Sequence, residues 1–180
     1  MPVRKIRKPA DATDVLAAQH TAIRQLFANY RTLAGTVGVS ADQRRDNAIA
    51  LCALLSIHLT VEDELFYPVA RDVLWDVALL DEAVADHAIV AELINALASM
   101  PPHEARFGAT MTILEEYVLL HFKQEEGSIF SVLRDAKVNL VELGALLQAR
   151  HETLVKRHVG VMHTPRERSD TLSASPGIRA

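Results

Sequence analysis

Residues 51–67 read LCALLSIHLTVEDELFY, and residues 114–130 read LEEYVLLHFKQEEGSIF. In the first, Leu51, Leu54, Leu55, His58, Glu62, Leu65 and Phe66 recur at steps of three and four; in the second, Leu114, Tyr117, Val118, His121, Glu125, Ile129 and Val132 do the same. That spacing predicts two amphipathic helices. Each carries His-x-x-x-Glu where an apolar stripe should continue. Residues four apart lie one above the other on a helix, so each pair aims an imidazole and a carboxylate at a single spot.

Two further stripes carry a lone histidine. Leu16, Ala17, His20, Ile23 and Phe27 form one; Leu80, Ala83, Val84, His87, Val90, Ala91 and Ile94 form the other. The four segments make a repeat: residues 14–27 align without gaps on 81–94, and 51–67 on 114–130, in the order His, His-x-x-x-Glu, His, His-x-x-x-Glu. Two helical hairpins related by a pseudo-twofold axis bring equivalent side chains together. Ionisable groups inside a core carry a large desolvation cost unless they are partnered. His20, His58, Glu62, His87, His121 and Glu125 therefore read as metal ligands, two imidazoles to each of two metals with the glutamates available to bridge. Mixed imidazole and carboxylate ligation suits iron or manganese better than zinc or calcium.

The rest of the chain bounds this reading. Its 180 residues suit one domain with a sizeable core, and 49% hydrophobic residues with only 5% aromatics and 7 glycines favour an all-helical fold. A first helix is predicted over 13–33, capped by Asp11 or Thr13, and a second from Ser40 or Ala41 that Pro68 ends or kinks. A third spans 76–99 and a fourth 104–126, with a break at Gly127 and a continuation through Arg134. A fifth, 140–159, packs across the bundle. The expected organisation is a basic arm over 1–12, an up-down-up-down four-helix bundle with an additional C-terminal helix over 13–160, and a disordered tail over 161–180. A net charge of −4 gives no reason to expect nucleic acid, and no stretch approaches the ~20 apolar residues of a membrane span. No secretory signal pattern is evident, and the single Cys52, read as a buried bystander, fits a reducing compartment, so the expected location is the cytoplasm.

Competing metal patterns fail. Ferritin-like sites need Glu-x-x-His, but Leu55, Val84 and Val118 stand three before His58, His87 and His121. The protease pattern His-Glu-x-x-His is also absent, because Thr153, Leu154 and Val155 follow His151 and Glu152. Asp63 and Glu126 point about 100° from the glutamates they follow, which suits a solvated or supporting role. Tyr117, one turn before His121, is the tyrosine best placed to reach the centre, with core packing and a hydrogen bond favoured over ligation or redox work. His103, His151 and His158 are weak candidates for extra ligands, and Trp75 is read as packing.

With these residues in place, the chain resembles the hemerythrin-like, or HHE cation-binding, family, over about Asp14 to Leu133. The resemblance rests on a twice-repeated lone histidine followed by His-x-x-x-Glu, here HLTVEDELFYP and HFKQEEGSIF. It implies two non-haem iron ions, oxo- or hydroxo-bridged, with His20, His58, His87 and His121 as terminal ligands and Glu62 and Glu125 as bridges. It further implies a small oxidant as partner: O2, H2O2 or NO. Oxygen-carrying members have one more histidine four residues from the one matching His87, whereas this chain has Ala83 and Ala91. They also have Asp where this chain has Glu125. The departures favour an open, reactive centre, with catalase- or peroxidase-like turnover, over oxygen carriage. A non-enzymatic sensor, carrier or store is the alternative. The iron-sulfur repair relatives add a domain with paired cysteines, which Cys52 alone does not supply.

Overall fold

The computed structural model describes residues 9–101 and 103–163; the basic arm before residue 9 and the tail after 163 lie outside the described residues. Helix α1 spans Ala12–Gly35, α2 Ala41–Val61, α3 Tyr67–Val73, α4 Val77–Ser99, α5 Arg106–Gln124, α6 Phe130–Asp135 and α7 Leu140–His163. No strand occurs among the described residues. Between α2 and α3 the chain makes a π turn, Glu62–Phe66, and between α5 and α6 a second, Glu125–Ile129. Contacts run from α1 to α2, α2 to α4, α4 to α5 and α5 back to α1, which closes a four-helix ring; α7 packs across α1 and α2.

Local chemistry sets the helix starts. Asp11 accepts from the Asp14 amide while Asp14 returns a bond to the Asp11 amide, and Ser40 and Gln43 form the same reciprocal pair ahead of α2. Asp11, rather than Thr13, is thus the cap of α1. The apolar stripes then bury two contiguous clusters. One gathers Ile23, Phe27, Leu51, Leu55, Val90, Leu97, Met111 and Leu114; the other, toward α7, gathers Leu16, Phe66, Leu80, Phe130, Leu133 and Leu147.

Two expectations, on Trp75 and Tyr117, need correction, whereas the expected breaks at Pro68 and Gly127 fall at the π turns between α2 and α3 and between α5 and α6. In such a turn the hydrogen bonds shift to i→i−5, as the Tyr67 amide to the Glu62 carbonyl shows, and Pro68 enters at the beginning of α3, where its missing amide costs little. Trp75 does not pack: it is 95% exposed in the α3–α4 connection. Tyr117 is 40% exposed, because the buried set Leu114, Val118, Phe122 and Glu125 centres the stripe of α5 to one side of His121 and leaves Tyr117 on its rim.

Gly144 marks the closest approach of α7 to the bundle. A Cβ there would lie 2.8 Å from the Asp11 carbonyl carbon and 2.9 Å from the Ala12 amide nitrogen, both backbone atoms at the start of α1. We expect Gly144→Ala to lower stability by about 2 kcal/mol and the melting temperature by roughly 5 °C, despite alanine's better helix propensity. Gly108→Ala in α5, where a Cβ meets nothing within 4 Å, should raise stability by about 0.5–1 kcal/mol. Thermal melts of the two variants check both; equal effects would contradict the close contact.

Candidate metal centre

The ring of helices places all six predicted residues on its inner faces, and all six are buried: His20, His58, Glu62 and Glu125 are 0% exposed, His121 1% and His87 5%. Their polar atoms converge. Glu62 Oε1 lies 3.5 Å from His20 Nε2 and 3.3 Å from His58 Nε2, while its Oε2 lies 3.5 Å from His87 Nε2. Glu125 Oε2 lies 3.3 Å from His20 Nε2 and 3.6 Å from His121 Nε2. Two groups of three have mutually close donor atoms, His20 with His58 and Glu62, and Glu62 with His87 and His121. Glu62 belongs to both, whereas Glu125 belongs to neither and reaches the cluster through His20 and His121.

These atoms are also short of partners. Among the described residues, His20 Nε2, His58 Nε2, both Glu62 oxygens and Glu125 Oε2 are buried with no hydrogen bond. Uncompensated buried polar atoms are rare because each forfeits its hydration. Five at one spot fit a cation.

The outer nitrogens of the same imidazoles are held from behind. His20 Nδ1 lies 2.8 Å from Glu126, which Arg24 also grips with two bonds of 3.0 and 3.1 Å. His58 Nδ1 donates to the Gln19 amide oxygen at 2.9 Å, and His87 Nδ1 lies 2.9 Å from Asp63. His121 Nδ1 faces Asp86 at 3.6 Å, in ion-pair range but beyond a hydrogen bond. Such contacts leave Nε2 free as a ligand and fix the ring plane. Asp63 and Glu126 therefore support the histidines rather than joining them.

Sequence reasoning missed Tyr67. Its hydroxyl donates to Glu125 Oε1 at 2.8 Å and lies 3.0 Å from His87 Nε2 and 3.5 Å from His121 Nε2, inside the cluster. An ideal α-helix places Tyr67 well off the face of Glu62, and the π turn brings it round. The available signal was the repeat itself, which sets Tyr67 against Phe130, a ring that packs near His20 at a centroid distance of 5.8 Å. Gln19 and Asp86 were likewise not anticipated. His103, His151 and His158 belong to neither donor group; His151 shares an apolar cavity of about 120 Å³ with His58, Ile23, Leu26 and Leu54.

Burial and ion pairing pull the histidines apart. Burial opposes charge on His20, yet Glu125 and Glu62 outweigh it and raise its pKa to about 9. His87 likewise resists burial through Asp63 and Glu62 and rises to about 9. Burial pushes His58 down to about 3. Glu62, despite its own burial, is held well below the usual carboxylate range by His58, His20 and His87.

These shifts fix the pH response of the metal-free protein. The raised pKa values of His20 and His87 stabilise the fold fully below about pH 6.5, an advantage lost as pH rises toward 9. The depressed His58 and Glu62 act oppositely: the unfolded chain takes up their protons first, so stability falls as the pH drops below 6.5. We expect the metal-stripped protein to be most stable near pH 6.5, with a melting temperature about 10 °C lower at pH 9. Melting curves from pH 4 to 9 check this, and a rise between 6.5 and 9 would contradict it.

Comparison with known proteins agrees with this arrangement. The family model for the hemerythrin HHE cation binding domain matches residues 11–133. A crystal structure of a hemerythrin HHE cation binding domain-containing protein from Mycobacterium kansasii superposes with a TM-score of 0.71 at 24% identity, covering 87% of this chain and 94% of that one. No curated protein matches. With its family match spanning the whole four-helix ring and every half-site, this chain belongs to the hemerythrin HHE cation-binding family.

Proposed function

We propose that His20, His58, Glu62, His87, His121 and Glu125 hold two non-haem iron ions, with Glu62 and Glu125 bridging, and that the centre binds or reacts with a small oxidant: O2, H2O2 or NO. The observation that carries the reading is the set of buried, unpartnered ligand atoms at the convergence of four helices. Iron held there would supply the redox chemistry; burial pushes the Cys52 thiol up to about 11, which keeps it out of its reactive thiolate form. The protein's part is to exclude bulk water, orient the imidazoles and hold a proton on Tyr67. Burial first, then the carboxylates of Glu125 and Glu62, push the Tyr67 phenol far above its usual value, so its O–H serves as a donor beside Glu125.

A small oxidant needs a route to the buried site. A cleft of about 350 Å³ opens between α2 and α4, with Leu59, Val84, Ala88 and Ala91 as apolar walls and His87 and Asp63 on its floor. Ala91 leaves that space free, one turn from His87. Catalase- or peroxidase-like turnover is the enzymatic form we propose. A sensor is the second reading, favoured by the two bonds of 2.6 and 2.8 Å from Arg150 on α7 to Glu64, which tie the fifth long helix to the π turn beside Glu62. No described helix is long and apolar enough to cross a membrane, and a cytoplasmic location is part of the proposal, which a single cysteine in the sequence suits.

Purified protein should hold about two irons per chain with near-ultraviolet absorption from bridged iron, and His58→Ala combined with Glu125→Ala should abolish it. Chelation should lower the melting temperature. Repeated peroxide consumption by the reduced iron form, with its spectrum intact, marks an enzyme; a single stoichiometric oxidation marks a sensor or carrier. Metal-free protein after expression in iron-replete cells, resistant to reconstitution, would overturn the reading.

A further inference from the structure

The internal repeat makes the four contacts behind the histidines comparable in pairs. Gln19 aligns with Asp86, and each stands one residue before a lone histidine; Asp63 aligns with Glu126, and each follows a glutamate. Three of the four make a hydrogen bond: Gln19 backs His58, Glu126 backs His20 and Asp63 backs His87, whereas Asp86 faces His121 at 3.6 Å and leaves its Nδ1 without a hydrogen bond. The pseudo-twofold is thus kept in placement, and it is broken in charge.

Behind His20 and His58 stand a neutral amide and a carboxylate already neutralised by the two bonds from Arg24. Behind His87 and His121 stand two carboxylates, and among the described residues neither is paired with an arginine or lysine. The near-site oxygen is unequal too: the Tyr67 hydroxyl lies 3.0 Å from His87 Nε2, whereas its aligned partner Phe130 offers His20 only a ring. The Asp63 carboxylate bonded behind His87 makes its Nε2 a stronger donor, and the two uncompensated negative charges of Asp63 and Asp86 favour a cation nearby.

On the reading that the six residues hold two metals, we infer that the two positions are inequivalent: the His87–His121 position binds first and holds its ion more tightly, and Gln19 is the residue that weakens the His20–His58 position. Gln19 and Asp63 are positioning residues that act through the imidazoles they bond. The protein passes through a stable one-metal form.

The test uses the full chain, stripped of metal and titrated without oxygen with Co(II). Cobalt is redox-silent here, reports its ligand set by visible absorption, and its bound count is read by native mass spectrometry. We expect two steps separated by about tenfold or more, with a one-ion species dominant at one equivalent. Asp63 is 49% exposed, so Asp63→Asn should leave the fold intact, as circular dichroism would verify; it should weaken the first step about tenfold and merge the two. Gln19→Glu should strengthen the second step alone. A single transition with only empty and two-ion species in the wild type, or equal changes in both steps in Asp63→Asn, would overturn the inference while leaving the two-metal reading standing. Absence of cobalt uptake by the wild-type chain would remove both.

Discussion

The constraint from which the rest of this structure follows is the burial of two carboxylates, Glu62 and Glu125, at the axis of a helical bundle. Moving a carboxylate out of water costs several kcal/mol even after relaxation, and a 180-residue chain has only about 5–15 kcal/mol of net stability. The sequence offsets that cost by surrounding the pair with four imidazoles, two of which ion pairing holds near pKa 9. Those imidazoles are in turn fixed from outside by Gln19, Asp63 and Glu126, with Asp86 facing the fourth ring. The metal-free arrangement is therefore a charged cluster balanced within itself, with several of its inner lone pairs left unclaimed.

The π turns belong to the same solution. Each starts at a bridging-type glutamate, Glu62 or Glu125. A continuous α-helix turns the residue five positions on away from the site; the wider turn brings it back, placing Tyr67 beside Glu125 and Phe130 near His20. Wider turns of this kind recur at functional sites because the shifted hydrogen bond is a local cost that a chemically useful placement offsets. Pro68, lacking an amide, is tolerated just after the first of them.

What could be read in the sequence follows from this physics. The six ligand-type residues were legible because a polar residue in an apolar stripe violates the strongest pattern a helix has. The helix starts were legible to within a residue or two, as Asp11 or Thr13 and as Ser40 or Ala41, because capping side chains act locally. The π turns were not, since nothing in EDELF or EEGSI distinguishes i→i−5 hydrogen bonding from i→i−4. That missing signal is why Tyr67 was not placed at the site. Tyr117 was misplaced for a different reason: the stripe of α5 is centred away from it. Gln19 and Asp86 looked like ordinary surface residues, because a helical wheel shows which face a side chain leaves from but not which ring of a neighbouring helix waits there.

The two halves diverge in more than the charge behind the histidines. Arg24 aligns with Ala91, and Phe122 with Leu59. On the first half Phe122 stacks on His20 at 3.8 Å and Arg24 covers its ring at 5.4 Å, which fills the space beside the imidazole. On the second half, Ala91 and Leu59 leave that space as the cleft over His87 and Asp63. Steric opening and electron donation thus fall on the same side of the pseudo-twofold. Stacking Phe122 against His20 rigidifies one half by packing, whereas the other is held by the Asp63 hydrogen bond and the Tyr67 hydroxyl, both polar and both near the cleft. Between the two halves of the repeat, packed rings lie beside one pair of histidines and an open cleft beside the other, through a few differences outside the six residues.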